Sequence, residues 1–122
     1  MELNFKLEVF EGPLDLLLSL IEKNKIDIYD IEIHILTDQY LAYIEEANRQ
    51  NMELTASFIE MASRLMYIKS CSLLPKEEDE EDPKATLEEM LQQYAKYKQV
   101  SEFLKTKYIG NRIFFREVTP LF

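Results

Sequence analysis

TASFIEMASRLMYIKSCSLL, Thr55 to Leu74, contains neither Gly nor Pro and is built largely from good helix formers. Its apolar residues Phe58, Met61, Ala62, Leu65, Met66, Ile68 and Leu73, with Ile59 beside them, recur at helical spacing. At about 100° per residue they sweep roughly half of the circumference, leaving Ser57, Glu60, Ser63, Arg64 and Cys71 for the other side. One packing contact needs a narrower stripe. The width therefore points to two partners, the chain's own domain on one flank and another molecule on the other. The same width also suits the central, most buried helix of a small bundle, and periodicity alone leaves both readings open.

Pro75 ends this helix, and six consecutive acids, Glu77 to Asp82, follow it. Like charges in a row repel one another and bury nothing, so residues 76–83 read as a solvated acidic linker. Beyond it, Lys84 to Tyr108 reads as a long amphipathic helix. Its seam, Leu87, Met90, Tyr94, Tyr97, Ser101, Leu104 and Tyr108, steps by three and four. Since a charged linker separates that seam from the earlier helices, its expected partner is another protein, and its ordering is expected to depend on that protein. The tail, residues 109–122, is apolar without period and suits a partner's groove.

Towards the N-terminus, Leu3, Phe5, Leu7 and Val9 alternate with polar residues, the period of a half-buried strand. A lone strand leaves its backbone groups unpaired, so it is expected to pair with a second chain or to lie along the helices. Gly12-Pro13 then opens a helix from Leu14 to Lys23 that presents Leu14, Leu17, Leu18 and Ile21, with Asp15 in the first turn and Asn24 as the stop. After a connector, Ile26 to Tyr29, Asp30 is the expected cap of a helix from Ile31 to Asn48. Ile33, Leu36, Tyr40, Tyr43, Ile44 and Ala47 share its inner face.

A chain of 122 residues, 47% hydrophobic and 30% charged, is long enough for one modest core but short for a multi-domain enzyme. No apolar stretch is long enough to span a bilayer and no leader precedes the first helix, so the expected location is the cytoplasm, with no membrane partner. The single Cys71 fits a reducing compartment. Of the formal charge of −9, six units sit in the acidic run, leaving −3 elsewhere and no basic stripe for a phosphate backbone. Contact with DNA is thus expected only indirectly, through a partner.

Nothing points to catalysis. His34, the only histidine, has no metal-ligand companions on its face, and Cys71 lies where the helix dipole disfavours a thiolate. The two glycines stand far apart and form no phosphate loop, and Glu88-Glu89 reads as a solvated helix face. No enzyme, cofactor or metal site is expected.

FEGPLDLLLSLI at Phe10 to Ile21, IDIYDI at Ile26 to Ile31, Gln39-Tyr40-Leu41, and Ile68-Lys69-Ser70 ahead of Leu73-Leu74-Pro75 together carry a specific resemblance. The chain from about Leu3 to Tyr108 closely resembles the bacterial kleisin family, segregation and condensation protein A. Glu32 departs from it, since many members carry Pro after DIYDI; His34 stands where a small residue is expected.

The resemblance implies a non-enzymatic subunit that bridges structural-maintenance-of-chromosomes (SMC) ATPases and recruits segregation and condensation protein B. Such a subunit acts in chromosome condensation and partition during cell division, in association with the nucleoid. It also implies that residues 1–75 form a helical domain on the SMC coiled-coil neck, using Phe58, Met61, Ala62, Leu65, Met66, Ile68 and Lys69. Residues 84–122 would be a middle region held by the B subunit through Leu87, Met90, Tyr94, Tyr97, Leu104 and Tyr108. A C-terminal winged-helix domain, expected in the family, lies outside this chain.

The fold expected from the whole reading is mainly α: a small helical N-terminal domain with a short strand, an acidic linker and a long amphipathic helix. From the residues alone, a rival remains in a self-contained acidic homodimer whose seam closes on its symmetry mate.

Overall fold

The computed structural model describes residues 7–75 and 81–108, which form four helices: α1 (Pro13–Lys23), α2 (Ile33–Arg49), α3 (Ala56–Ser72) and α4 (Pro83–Tyr108). The mainly α reading therefore holds. The expected strand does not appear where it can be seen, because Leu7 to Val9 carry no strand; Leu3 to Lys6 lie outside the described residues. Tyr43 meets this segment instead. Its hydroxyl donates to the Glu8 carbonyl at 2.6 Å, and its ring packs edge-on against Phe10 with centroids 5.6 Å apart. That anchors the segment on α2 without a second strand.

Two left-handed residues close α1 and α2 in the same way. Asn24 is the C-cap of α1, but the positive φ falls on Lys25, at 53°, and the Ile26 amide returns to the Ile21 carbonyl at 3.0 Å. In α2 the pair is Asn51, φ 57°, and the Met52 amide on the Ala47 carbonyl at 2.9 Å. This six-to-one bond satisfies carbonyls that the helix end would otherwise strand, and it turns Ile26 inward, where it is buried. The start of α2 moves two residues beyond Ile31, which is instead buried in the connector, with Glu32 at the cap position.

The core joins Leu16, Leu17, Leu20 and Ile21 of α1 to Ile33, Leu36 and Tyr40 of α2 and Phe58, Met61, Leu65 and Ile68 of α3. It does not stop at the acidic run. Leu87 and Leu91 of α4 are 1% and 0% exposed and belong to the same cluster.

Tyr40 is fully buried, and its hydroxyl donates to the Phe58 carbonyl at 2.7 Å, tying α2 to the first turn of α3. Burial, with Tyr43 nearby, pushes its phenol well above the usual tyrosine range, so it stays a donor at every physiological pH. Tyr40→Phe keeps the ring and removes only that bond. It should lower stability by about 1–2 kcal/mol in a denaturant melt; an unchanged midpoint would mean that the bond contributes nothing net.

Candidate interaction surface

Helix α3 has two faces of different composition. Phe58, Met61, Ala62, Leu65 and Ile68 are all 7% exposed or less, and they pack inside the chain. These five were expected to meet a partner. In the chain's own fold they occupy core positions, because α1 and α2 together cover a face wide enough to hold them.

What α3 turns outward is a second seam: Ala56, Ile59, Ser63, Met66, Ser70 and Leu73. Its steps of three and four are the spacing of a coiled-coil stripe. Ile59, Met66 and Leu73 are 50%, 48% and 77% exposed and recur every seven residues, while every other seam position is Ala or Ser. Small residues between large ones let a second helix backbone approach closely while the large ones fill its gaps. Met66 was expected on a partner face and is the one of the seven that stands on this seam. Lys69 is half-exposed at its edge and pairs with Asp38 of α2 at 3.1 Å.

Helix α4 docks on the rest of the domain with its first half. Leu87 and Leu91 enter the core, and four polar contacts flank them. The Glu88 carboxylate accepts the Ile31 amide at 2.8 Å, and the Gln92 side-chain amide donates to the Ile28 carbonyl at 3.3 Å. Lys84 pairs with Asp30 at 3.1 Å, and Lys98 pairs with Asp15 of α1. Two backbone groups of the connector that no helix ladder satisfies, the Ile31 amide and the Ile28 carbonyl, are thus partnered by side chains of α4.

Asp15 is buried, and one of its oxygens reaches back to the Glu11 amide at 3.3 Å while the other receives Lys98. That hydrogen bond holds the Lys98 ammonium above its usual range, outweighing partial burial, so Lys98 stays charged at neutral pH.

The expected B-subunit residues divide accordingly. Leu87 is core, and Met90 and Tyr94 are half-buried. Met90 receives the Arg64 guanidinium on its sulfur at 3.5 Å, and Tyr94 stacks on Tyr97 with ring centroids 5.9 Å apart. Tyr97 and Leu104 are 40% and 44% exposed; Tyr108 ends the helix. Leu91, absent from the expected seam, is the residue that sequence reading missed. The seam was drawn through Met90 one position away, and an i, i+4 pair from Leu87 is the signal that finds it.

Among the described residues no group of His, Cys, Asp and Glu is arranged to hold a metal ion, and no helix is long and apolar enough to cross a membrane. His34 is exposed on α2 and Cys71 is partly buried near the end of α3.

Four helices around one core, with a heptad-spaced apolar seam left exposed on α3, define a mainly α domain. The chain belongs to the family described as segregation and condensation protein ScpA, whose sequence model matches residues 20–119. It is similar to segregation and condensation protein A of Caldanaerobacter subterraneus subsp. tengcongensis, 46% identical over 123 residues that cover 95% of this chain and 50% of that protein. Proteins of the same name from Clostridium acetobutylicum and Enterococcus faecalis are 46% and 43% identical, over 88% and 93% of this chain. The chain spans about half the length of these curated relatives.

Proposed function

We propose that this chain is the N-terminal and middle part of a non-enzymatic kleisin subunit. In this reading it bridges SMC ATPases, recruits segregation and condensation protein B, and acts in chromosome condensation and partition. The observation that carries the reading is the outer seam of α3. A coiled coil is the partner that matches a heptad stripe by knobs-into-holes packing, and an SMC neck presents one. Ile59, Met66 and Leu73 would be the knobs, and Ser63 and Ser70 the close-approach positions. The distal half of α4 is left for the B subunit. The acidity of the chain, −9 overall, agrees with DNA being touched by the assembled complex at the nucleoid and not by this subunit.

The test is binding to a purified SMC head-and-neck fragment. Met66→Glu and Ile59→Glu place a charge at positions half-exposed in the free chain, so melting temperature and helicity should stay near wild type. In the complex the same charge is buried without a partner, and affinity should fall by about 100-fold or more. If both variants fold and bind like wild type, the α3 seam is not the neck-binding face.

A further inference from the structure

The distal half of α4 carries a pattern of which the expected seam includes only Leu104. Val100, Phe103 and Leu104 are 57%, 63% and 44% exposed, the largest such cluster on this helix. At about 100° per residue, Val100 and Phe103 lie on the side of α4 opposite Leu87 and Leu91, with Leu104 bordering them towards Tyr97. Lys96 stands one turn before Val100 and Lys107 one turn after Phe103; both are exposed. The spacing of Lys96, Val100, Phe103 and Lys107 is four, three, four, which places all four on one stripe about 16 Å long.

The charge of this segment is inverted relative to its surroundings. From Lys96 to Lys107 there are four lysines and one glutamate, in a chain whose formal charge is −9. A solubilising helix face in an acidic protein needs no such inversion, and a solvated face does not gather its largest apolar side chains between the cations.

We infer that Val100, Phe103 and Leu104, bracketed by Lys96 and Lys107, form a docking stripe for an apolar groove with an acidic rim on a partner protein. The helix would enter that groove side-on, with Phe103 and Val100 as anchors and the two lysines meeting carboxylates at either end. Nucleic acid fits less well: phosphates would satisfy the lysines but leave the aliphatic and aromatic anchors with nothing to fill. The inference deepens the proposed function, since it rests on α4 as the site of the B subunit, and it moves the contact from Leu87, Met90 and Tyr94 to the opposite side of the helix.

The test uses the full chain and purified segregation and condensation protein B, with a 20-base-pair DNA duplex as the second probe. Phe103→Ala and Val100→Asp should each weaken binding of the B subunit by about 30-fold or more, the usual effect of losing a central anchor. Replacing Lys96 and Lys107 together by Gln should cost about three- to tenfold at low salt and flatten the salt dependence. Met90→Ala, on the expected seam, should change little. Circular dichroism of each variant should match wild type, because Lys96, Val100, Phe103 and Lys107 are exposed and Met90 is only half-buried.

If the unaltered chain does not bind the B subunit at all, the proposed function fails at that partner. If it binds and the Met90 variant is the one that loses affinity, the proposed function stands and the docking stripe is wrong. Tight binding of the duplex that the double Gln variant abolishes and Phe103→Ala leaves intact would give the stripe to nucleic acid, and would likewise overturn the inference.

Discussion

Leu65→Glu should leave no folded domain, whereas Met66→Glu, one residue along the same helix, should fold normally. Leu65 is 0% exposed at the centre of the α3 face that meets α1 and α2, and Met66 is 48% exposed on the outer seam. A carboxylate at Leu65 has no cation within the core to pair with, and an unpaired buried charge costs several kcal/mol even after the group neutralises itself. A small domain holds about 5–15 kcal/mol in total, and the cavity left by the lost branched side chain removes part of that as well. The milder Leu65→Ala should retain the fold with a loss of about 2–5 kcal/mol. Urea unfolding followed by circular dichroism reads all three. A Leu65→Glu protein with a native melt would place Leu65 outside the core.

Leu91→Asp should release α4 while α2 and α3 persist. Leu91 is 0% exposed, and it and Leu87 are the two buried apolar residues that α4 contributes. Beyond these, only Tyr94 and Ala95 pack partly buried against the core, and the rest of the attachment is polar: Glu88 on the Ile31 amide, Gln92 on the Ile28 carbonyl, and the Lys84–Asp30 and Lys98–Asp15 pairs. Pairs as exposed as Lys84–Asp30 contribute little, and a helix without a buried face is marginal in water.

Hydrogen exchange should therefore show a step in the wild-type chain. Amides from Leu87 to about Lys98 should be protected along with α1, and those beyond Gln99 should exchange quickly until a partner binds. In Leu91→Asp the protection of Leu87 to Lys98 should fall by about 100-fold or more, the equivalent of roughly 3 kcal/mol. Uniformly weak protection across α4 in the wild type would instead mean that the whole helix waits for a partner, as the seam alone suggests.

The division of α4 at Lys98 changes what the acidic run can do. Residues 81 and 82 lead directly into a helix whose first turns are fixed on the connector, with the Lys84 and Thr86 amides bonded to Asp82. The outer seam of α3 and the distal half of α4 are therefore carried by one core, and the acids between the two helices join surfaces that are already held together by Leu65, Ile68, Leu87 and Leu91.

By itself, the sequence determined the four helices, their order and the inner face of α2. The i, i+3, i+4 recurrence and the Pro and Asn punctuation are local, and each helix must bury its own stripe somewhere. It also carried the family resemblance, in FEGPLDLLL and IDIYDI. Only the tertiary structure decided which of the two flanks of α3 is inside. Phe58, Leu65, Ile59 and Met66 are equally apolar in the sequence, and the choice between them is made by where α1 and α2 lie.

Nor does periodicity reveal that α4 returns across a charged linker. That return depends on contacts between residues far apart in the chain, Asp15 with Lys98 and Ile31 with Glu88. A carboxylate that satisfies a connector amide looks, in sequence, the same as one solvated by water. Charge and spacing say what a residue can do; the neighbour that it meets is fixed only when the chain has folded.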